Sequence, residues 1–338
     1  MLHRFGHKRA SGDVTLDKPN AWGSMSAIGD RHGPPHPDRR PLQNEAAAFA
    51  FVEAALWPDG PNCPHCGSVD RLKRLGGKST RPGLFKCYAC SKQFTVRVGT
   101  IFESSHLALH LWLQVIHLMC ASKKGISTRQ IQRLLNCSMK TAWHLTHRIR
   151  EIMLPAGMVP MGGEGKTIEA DATYVGRKPY TKVGKGTAHL NPVFALVERN
   201  GRARSVHVPN VKAHTLHQEI EAANVSRKST LYTDDARTFR ILGPTFAAHE
   251  SVNHSQDEYV RGIVHTNTVE GFFSILKRGI YGTYQHVSTE HLPRYLAEFD
   301  FRYSNREANG VDDAARASIA LKGAKGRRLT YQTTRARV

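Results

Sequence analysis

The sequence predicts an α/β protein, a mixed sheet with flanking helices preceded by a cysteine-built ribbon and a helical pair. Three observations carry that expectation. Two Cys-x-x-Cys units, Cys63/Cys66 and Cys87/Cys90, stand 20 residues apart. Residues 107–154 place apolar side chains at helical spacing, interrupted by a short turn at Asn136–Ser138. From residue 167 the texture changes to alternating strands, in the order three strands, a helix, a strand, short elements and a helix bearing an acid.

The balance of charge bounds the partner. The 338 residues carry 48 Lys+Arg against 28 Asp+Glu, a formal +20 with a pI near 10. Such a surface favours a polyanion, and nucleic acid is the usual one. No Lys/Arg-rich amphipathic helix suggests a membrane surface, and no apolar run reaches the roughly 18 residues of a spanning helix. The N-terminal MLHRFGHKRASGDV lacks the apolar centre of a secretory signal. The expectation is a cytoplasmic protein without membrane contact.

Taken in order, residues 1–41 are rich in Gly, Pro, His and charge without apolar periodicity, and read as a disordered basic extension. Residues 42–102 read as a leading helix, QNEAAAFAFVEAALW, followed by the ribbon. Each Cys-x-x-Cys turn brings two thiolates onto one ion, and two such turns complete a tetrahedral zinc site. Cys63, Cys66, Cys87 and Cys90 leave no open coordination position, so the ion is expected to be structural. KQFTVRVGTIF after the second pair alternates as a strand does. Cys120 and Cys137 sit among apolar neighbours and read as core residues.

Residues 103–155 read as a helical region ending in a helix-turn-helix. Ser127 or Thr128 can cap its first helix and Ser138 its second. Residues 120–152 hold seven Lys/Arg and one acid. Lys140, Thr141 and His144 would lie near base edges, while Arg148 and Arg150 would reach phosphates. A helical pair that only packs on its neighbours is the competing reading. The Gly/Pro/Met-rich stretch 154–166 marks a boundary.

Residues 156–306 read as the α/β domain. In TIEADATYVG, Ile168, Ala170, Ala172 and Tyr174 share one face, and Glu169, Asp171 and Thr173 the other. NPVFALVERNGRARSVHV reads as a hairpin turning at Asn200-Gly201. LHQEIEAAN suits a helix, RKSTLYTDD a strand ending in Asp234 and Asp235, and ARTFRILG a short helix. HTNTVEGFFSILKRG (265–279) reads as a helix with Val269, Phe272, Phe273 and Leu276 buried. Glu270 and Lys277 lie two turns apart on one side of it. Asn267-x-x-Glu270 equally fits a capping box, in which Glu270 serves the helix start. Residues 288–306 suit a last helix, and 307–338 read as a flexible basic tail.

Phosphodiester chemistry uses divalent ions held by converging carboxylates. Asp171 sits mid-strand, Asp234 ends a strand, and Glu270 follows Asp234 after 35 residues. EADATYVG, YTDD, and that Glu with a Lys seven residues on resemble the DDE transposases with a ribonuclease-H-like catalytic domain. WPDGPNCPHCGS, the second Cys-x-x-Cys, LWLQVIHLM, the helix-turn-helix and HTNTVEGFFSILKRGIYGTYQHVS resemble the zinc-ribbon group of insertion-sequence transposases, the ISXO-two type. The resemblance covers roughly residues 42–306.

The resemblance implies that Asp171, Asp234 and Glu270 bind two Mg²⁺ or Mn²⁺ ions, with Asn267 the alternative third ligand and Asp235 the alternative second. Water would cut at the element's ends, and the freed 3′-OH would attack target DNA. Lys277 and Arg278 would contact DNA near the scissile phosphate. The ribbon and helix-turn-helix would recognise the terminal inverted repeats, and pairing two ends implies at least a dimer. Where members of the group often carry a second acid directly after the first Asp, this chain has Ala172. Glu169 is a candidate for a supporting role, and His265 for orienting DNA or a carboxylate. The rival functions are a non-catalytic DNA-binding regulator and a nuclease without strand transfer.

Overall fold

The computed structural model describes residues 40–155, 157, 159–253 and 256–330, all within one compact unit. The expected N-terminal extension lies outside them up to residue 39. After a 3₁₀ turn at Arg40–Leu42, helix α1 (Glu45–Leu56) starts where the Asn44 side chain accepts from the Ala47 N–H at 3.0 Å. Strands β1 (Leu72–Arg74), β2 (Phe85–Cys87) and β3 (Gln93–Phe94) form a small antiparallel sheet beside it. The strand expected over KQFTVRVGTIF is limited to Gln93–Phe94. Turns take the rest, with Gly99 at φ 72 and Val96, Ile101 and Phe102 buried.

Helix α2 (Leu109–Ala121) buries its Leu/Trp/Ile/Met face. Helices α3 (Thr128–Leu135) and α4 (Met139–Met153) follow, with Ser127 and Ser138 accepting from Gln130 N–H at 3.2 Å and Thr141 N–H at 3.1 Å. Asn136 takes the left-handed conformation that ends α3.

The second half is a five-stranded sheet of β4 (Thr167–Val175), β5 (Asn191–Glu198), β6 (Ala203–His207), β7 (Thr230–Asp234) and β8 (Ala248–Val252), ordered β6-β5-β4-β7-β8. The β4, β5 and β6 strands are antiparallel neighbours, and β7 and β8 run parallel to β4. This is the ribonuclease-H-like mixed sheet that the resemblance implied. The hairpin between β5 and β6 turns with Asn200 at φ 56. Helices α5 (Ala213–Ala222) and α6 (Arg237–Leu242) cover one face, where Ile168, Ala170, Phe194, Leu216 and Phe239 share a core. A short hairpin, β9 (Val260–Arg261) and β10 (Val264–His265), leads into α7 (Asn267–Lys277). With α8 (Leu292–Ser304), α7 covers the opposite face around Val175, Val193, Phe272 and Phe299.

The expected flexible tail is corrected. Asp312 accepts from Ala315 N–H at 2.7 Å and starts helix α9 (Asp313–Lys322). Ala320, Leu321 and Ala324 enter the core built by α1, α2 and α4, and Arg316 donates to the Cys120 carbonyl at 2.9 Å. Small apolar residues between the basic ones give α9 a face to bury. Residues 331–338 lie outside the described chain. Among the described residues, no helix is long and apolar enough to cross a membrane.

Candidate metal and nucleic-acid sites

The cysteine quartet closes as the spacing demands. Cys63, Cys66, Cys87 and Cys90 place their sulfurs within 4.8 Å of one another, with Cys63–Cys90 at 3.7 Å and Cys66–Cys87 at 3.6 Å. Four sulfurs at tetrahedral Zn–S distance stand about 3.8 Å apart, so the arrangement fits a zinc ion. Trp57, Phe85 and Phe94 pack ring to ring beneath it.

The acids come from three elements. The pairing of β4 with β7 sets Thr167 against Thr230 and Glu169 against Tyr232; continued, it brings Asp171 level with Asp234. Helix α7 lies across β4 and β5. Burial pushes the Asp171 carboxyl up to about 7. The Ala172 N–H, donating at 2.6 Å, opposes this, as does the Lys277 ammonium, whereas the Asp234 and Glu270 carboxylates add to the rise. The charges of Asp234, Glu270 and Lys277 thus all act on the Asp171 carboxyl. Carboxylate oxygens are the donor type a hard divalent cation takes, but among the described residues only the cysteine quartet brings its ligand atoms within 4.8 Å of one another. Asp235 is turned to Arg240, which donates to it at 2.8 Å and holds its carboxyl below the usual range.

The capping box is corrected. Asn267 is the first residue of α7 rather than its cap, and the cap residue, Thr266, makes no side-chain cap bond. Thr266 instead donates its hydroxyl to Glu270 at 2.7 Å. The helix start is satisfied by Glu169, fully buried on β4. Its carboxylate accepts from Thr268 N–H at 2.8 Å, Val269 N–H at 3.0 Å, the Thr268 hydroxyl at 2.7 Å and Arg199 Nε at 2.7 Å. Arg199 also meets His265 Nδ1 at 2.9 Å, which ties the β9–β10 hairpin to the same carboxylate. Glu169 lies two residues before Asp171, on the same face of β4. That alternation is readable in sequence, whereas nothing local marks Arg199 as its partner.

In the helix-turn-helix, Lys140 is exposed and Thr141 and His144 are half-buried. The His144 imidazole is held below its ordinary value by burial first, then by Arg148. The expectation that Arg148 and Arg150 reach phosphates is corrected. Arg148 donates to the carbonyls of Ile101 and Glu103, the latter at 2.8 Å, and its guanidinium lies 4.9 Å from the Trp112 ring centre. Arg150 is fully buried, donating to Glu298 at 2.7 Å with Tyr295 stacked 3.9 Å away. Lys277 and Arg278 are both exposed at the end of α7.

Comparison with known proteins agrees with this assembly. Residues 162–304 match the ISXO2-like transposase domain and residues 43–93 the transposase zinc-ribbon domain, together more than half the chain. A protein in transposable element ISH50 of Halobacterium salinarum is 28% identical over 277 residues, 77% of this chain and 90% of its own. A transposase-like protein of Haemophilus influenzae is 30% identical over 103 residues, 30% of this chain and 81% of its own. A pre-cleavage Mos1 transpososome structure aligns at 9% identity over 62% of this chain and 74% of that one, with a TM-score of 0.24, too weak to bear on the fold. The strand order, the cysteine quartet and the two matched domains agree: the chain belongs to the ISXO2-like transposases that carry a transposase zinc ribbon.

Proposed function

We propose that this protein is the DNA transposase of an insertion sequence, working in the cytoplasm, which binds the element's terminal inverted repeats, cuts at its ends and joins the freed 3′-OH to target DNA. What supports the reading is the β4–β7 register, which sets Asp171 level with Asp234, and the packing of α7, which bears Glu270, across β4. These three carboxylates would hold the divalent ions, with Glu270 preferred to Asn267 because its charge acts on Asp171. Bound Mg²⁺ or Mn²⁺ would supply Lewis-acid polarisation and neutralise charge developing on the phosphoryl oxygens. Lys277, exposed two turns after Glu270, holds a DNA phosphate beside the carboxylates, with Arg278 next to it. Glu169 fixes the start of α7 and so the position of Glu270. Lys140, Thr141 and His144 present the recognition surface of the helix-turn-helix, and the zinc ribbon supports it. Two chains at least assemble on DNA, one for each end.

The test uses the full chain, Mg²⁺ and a labelled duplex carrying the inverted repeat that flanks the reading frame. Expected are nicked ends bearing 3′-OH and a joined product with target DNA, both lost in Asp171→Ala. Cleavage by Asp171→Ala at the wild-type rate would sink the catalytic assignment. Binding without cleavage by the wild type would favour a DNA-binding regulator, and cleavage without joining a nuclease.

A further inference from the structure

A groove of about 1010 Å³ opens between the helix-turn-helix and the chain that continues α7. One wall is Arg129, Gln130, Lys140 and Trp143; the other is residues 282–286, with Gln285 and His286 exposed. No carboxylate is among its lining residues, and Arg129 and Lys140 on the helix-turn-helix wall give it a net positive charge.

The second wall has an unusual construction. Helix α7 runs on as a π-helical segment, Arg278–Tyr284, and then turns sharply at Gln285. Gln285 has φ 62 and ψ −47, and the His286 N–H donates to the Tyr284 carbonyl at 2.7 Å. That is a three-residue γ-turn of the rare, strained hand, a conformation in which glycine would sit without penalty. Here it presents a long amide side chain to the groove. Backbone strain of this kind survives only where the surroundings over-determine it, and it clusters at ligand contacts.

The surroundings do over-determine it. The Tyr284 hydroxyl donates to Glu298 at 2.6 Å, and Arg150 of α4 donates to the same carboxylate at 2.7 Å. Gly125, at φ 95, leaves the Tyr284 ring its space, since a Cβ there would lie 2.0 Å from the hydroxyl oxygen. One buried network thus fixes both walls, and the strained turn is held at a set place opposite the first turn of α4.

We propose that this groove takes one strand of DNA on its way from the recognition helix to the carboxylates, and that Gln285 reads a base edge there. Gln285 is then a specificity-determining residue outside the helix-turn-helix. Lys140 and Arg129 neutralise the strand's phosphates, which position it without reading sequence. The Gln285 amide offers both a donor and an acceptor, the pair that distinguishes one base edge from another. The proposal rests on the reading of this protein as a transposase of its own terminal repeats.

The experiment compares wild type, Gln285→Gly and Gln285→Ala by fluorescence anisotropy, on the terminal-repeat duplex and on a scrambled duplex of equal length. Melting temperature is recorded for each variant. Gln285→Gly relieves the turn and should melt at or above wild type, yet bind the repeat about tenfold more weakly, as expected for a lost base contact. Binding to the scrambled duplex should be unchanged. Gln285→Ala, which keeps the strained backbone, should show the same loss. Wild-type discrimination by both variants, or an equal loss on both duplexes, would overturn the proposal while leaving the transposase reading intact. A wild-type chain that does not prefer the repeat would overturn both.

Discussion

Glu169 and Asp171 are two residues apart on one face of β4 and meet opposite fates. Glu169 is fully buried and fully partnered, by a helix start and a guanidinium. Glu169→Gln leaves Arg199 beside a neutral amide and loosens the α7 start. It should cost about 3 kcal/mol, as loss of one partner from a buried ion pair does, read as a lower urea midpoint. Asp171 is half-buried beside two like charges, and burial first of all raises it to about 7. The stability this adds is fully present below the ordinary aspartate range and is lost as pH rises through about 7. Without divalent ions, Asp171→Asn should therefore melt above wild type at pH 8, with the gap closing toward pH 4. Burial also raises Asp300 to about 7, but it is common to both proteins and cancels. Equal melting at pH 8 would contradict the strain assigned to Asp171.

At the scale of elements, α4 shows what sequence can and cannot reveal. Its start is legible because Ser138 and the left-handed Asn136 act within three residues of the helix. Its charged positions are not, because the same 3.6-residue period serves a solvated face and the packed faces that set Arg148 against Trp112 of α2 and Arg150 against Glu298 of α8. Arg148→Met should lower stability by roughly 1–3 kcal/mol, through two unpaired carbonyls, and leave the salt dependence of DNA binding unchanged. Lys140→Ala should reduce that salt slope by about one. A slope change in the Arg148 variant would mean that the side chain swings out to a phosphate. Strand β8 escaped the sequence reading for a related reason. AHESV is polar and half-exposed at the sheet edge, and its strand character comes from pairing with β7 rather than from apolar alternation.

For the whole molecule, the C-terminal region decides more than its composition suggests. Helix α9 supplies Ala320 and Leu321 to the core shared by α1, α2 and α4, and the Ile101 N–H bonds the Ala324 carbonyl at 3.0 Å. A chain ending at 310 should lose several kcal/mol relative to the full chain or fail to fold, as expected for removing three buried apolar residues and a helix. Melting equal to that of the full chain would refute the packing role of α9. Cys87→Ser should bring bound zinc from about one ion per chain to none, measured by atomic absorption.

By itself the sequence determined the zinc ribbon spacing, the helix-turn-helix caps, the alternation of β4, the interval between the acids and, through its motifs, the family. All of these are set by groups a few residues apart, or by a period that any isolated strand or helix would keep. Only the tertiary structure decided that Glu169 caps α7, that Arg148 and Arg150 are interior, that α9 is core, and that Gln285 occupies a strained turn facing α4. A buried charge takes as its partner whichever group packing brings within reach. Here those partners lie 99 residues away for Glu169 and Thr268, and 148 away for Arg150 and Glu298, distances across which no local pattern carries information.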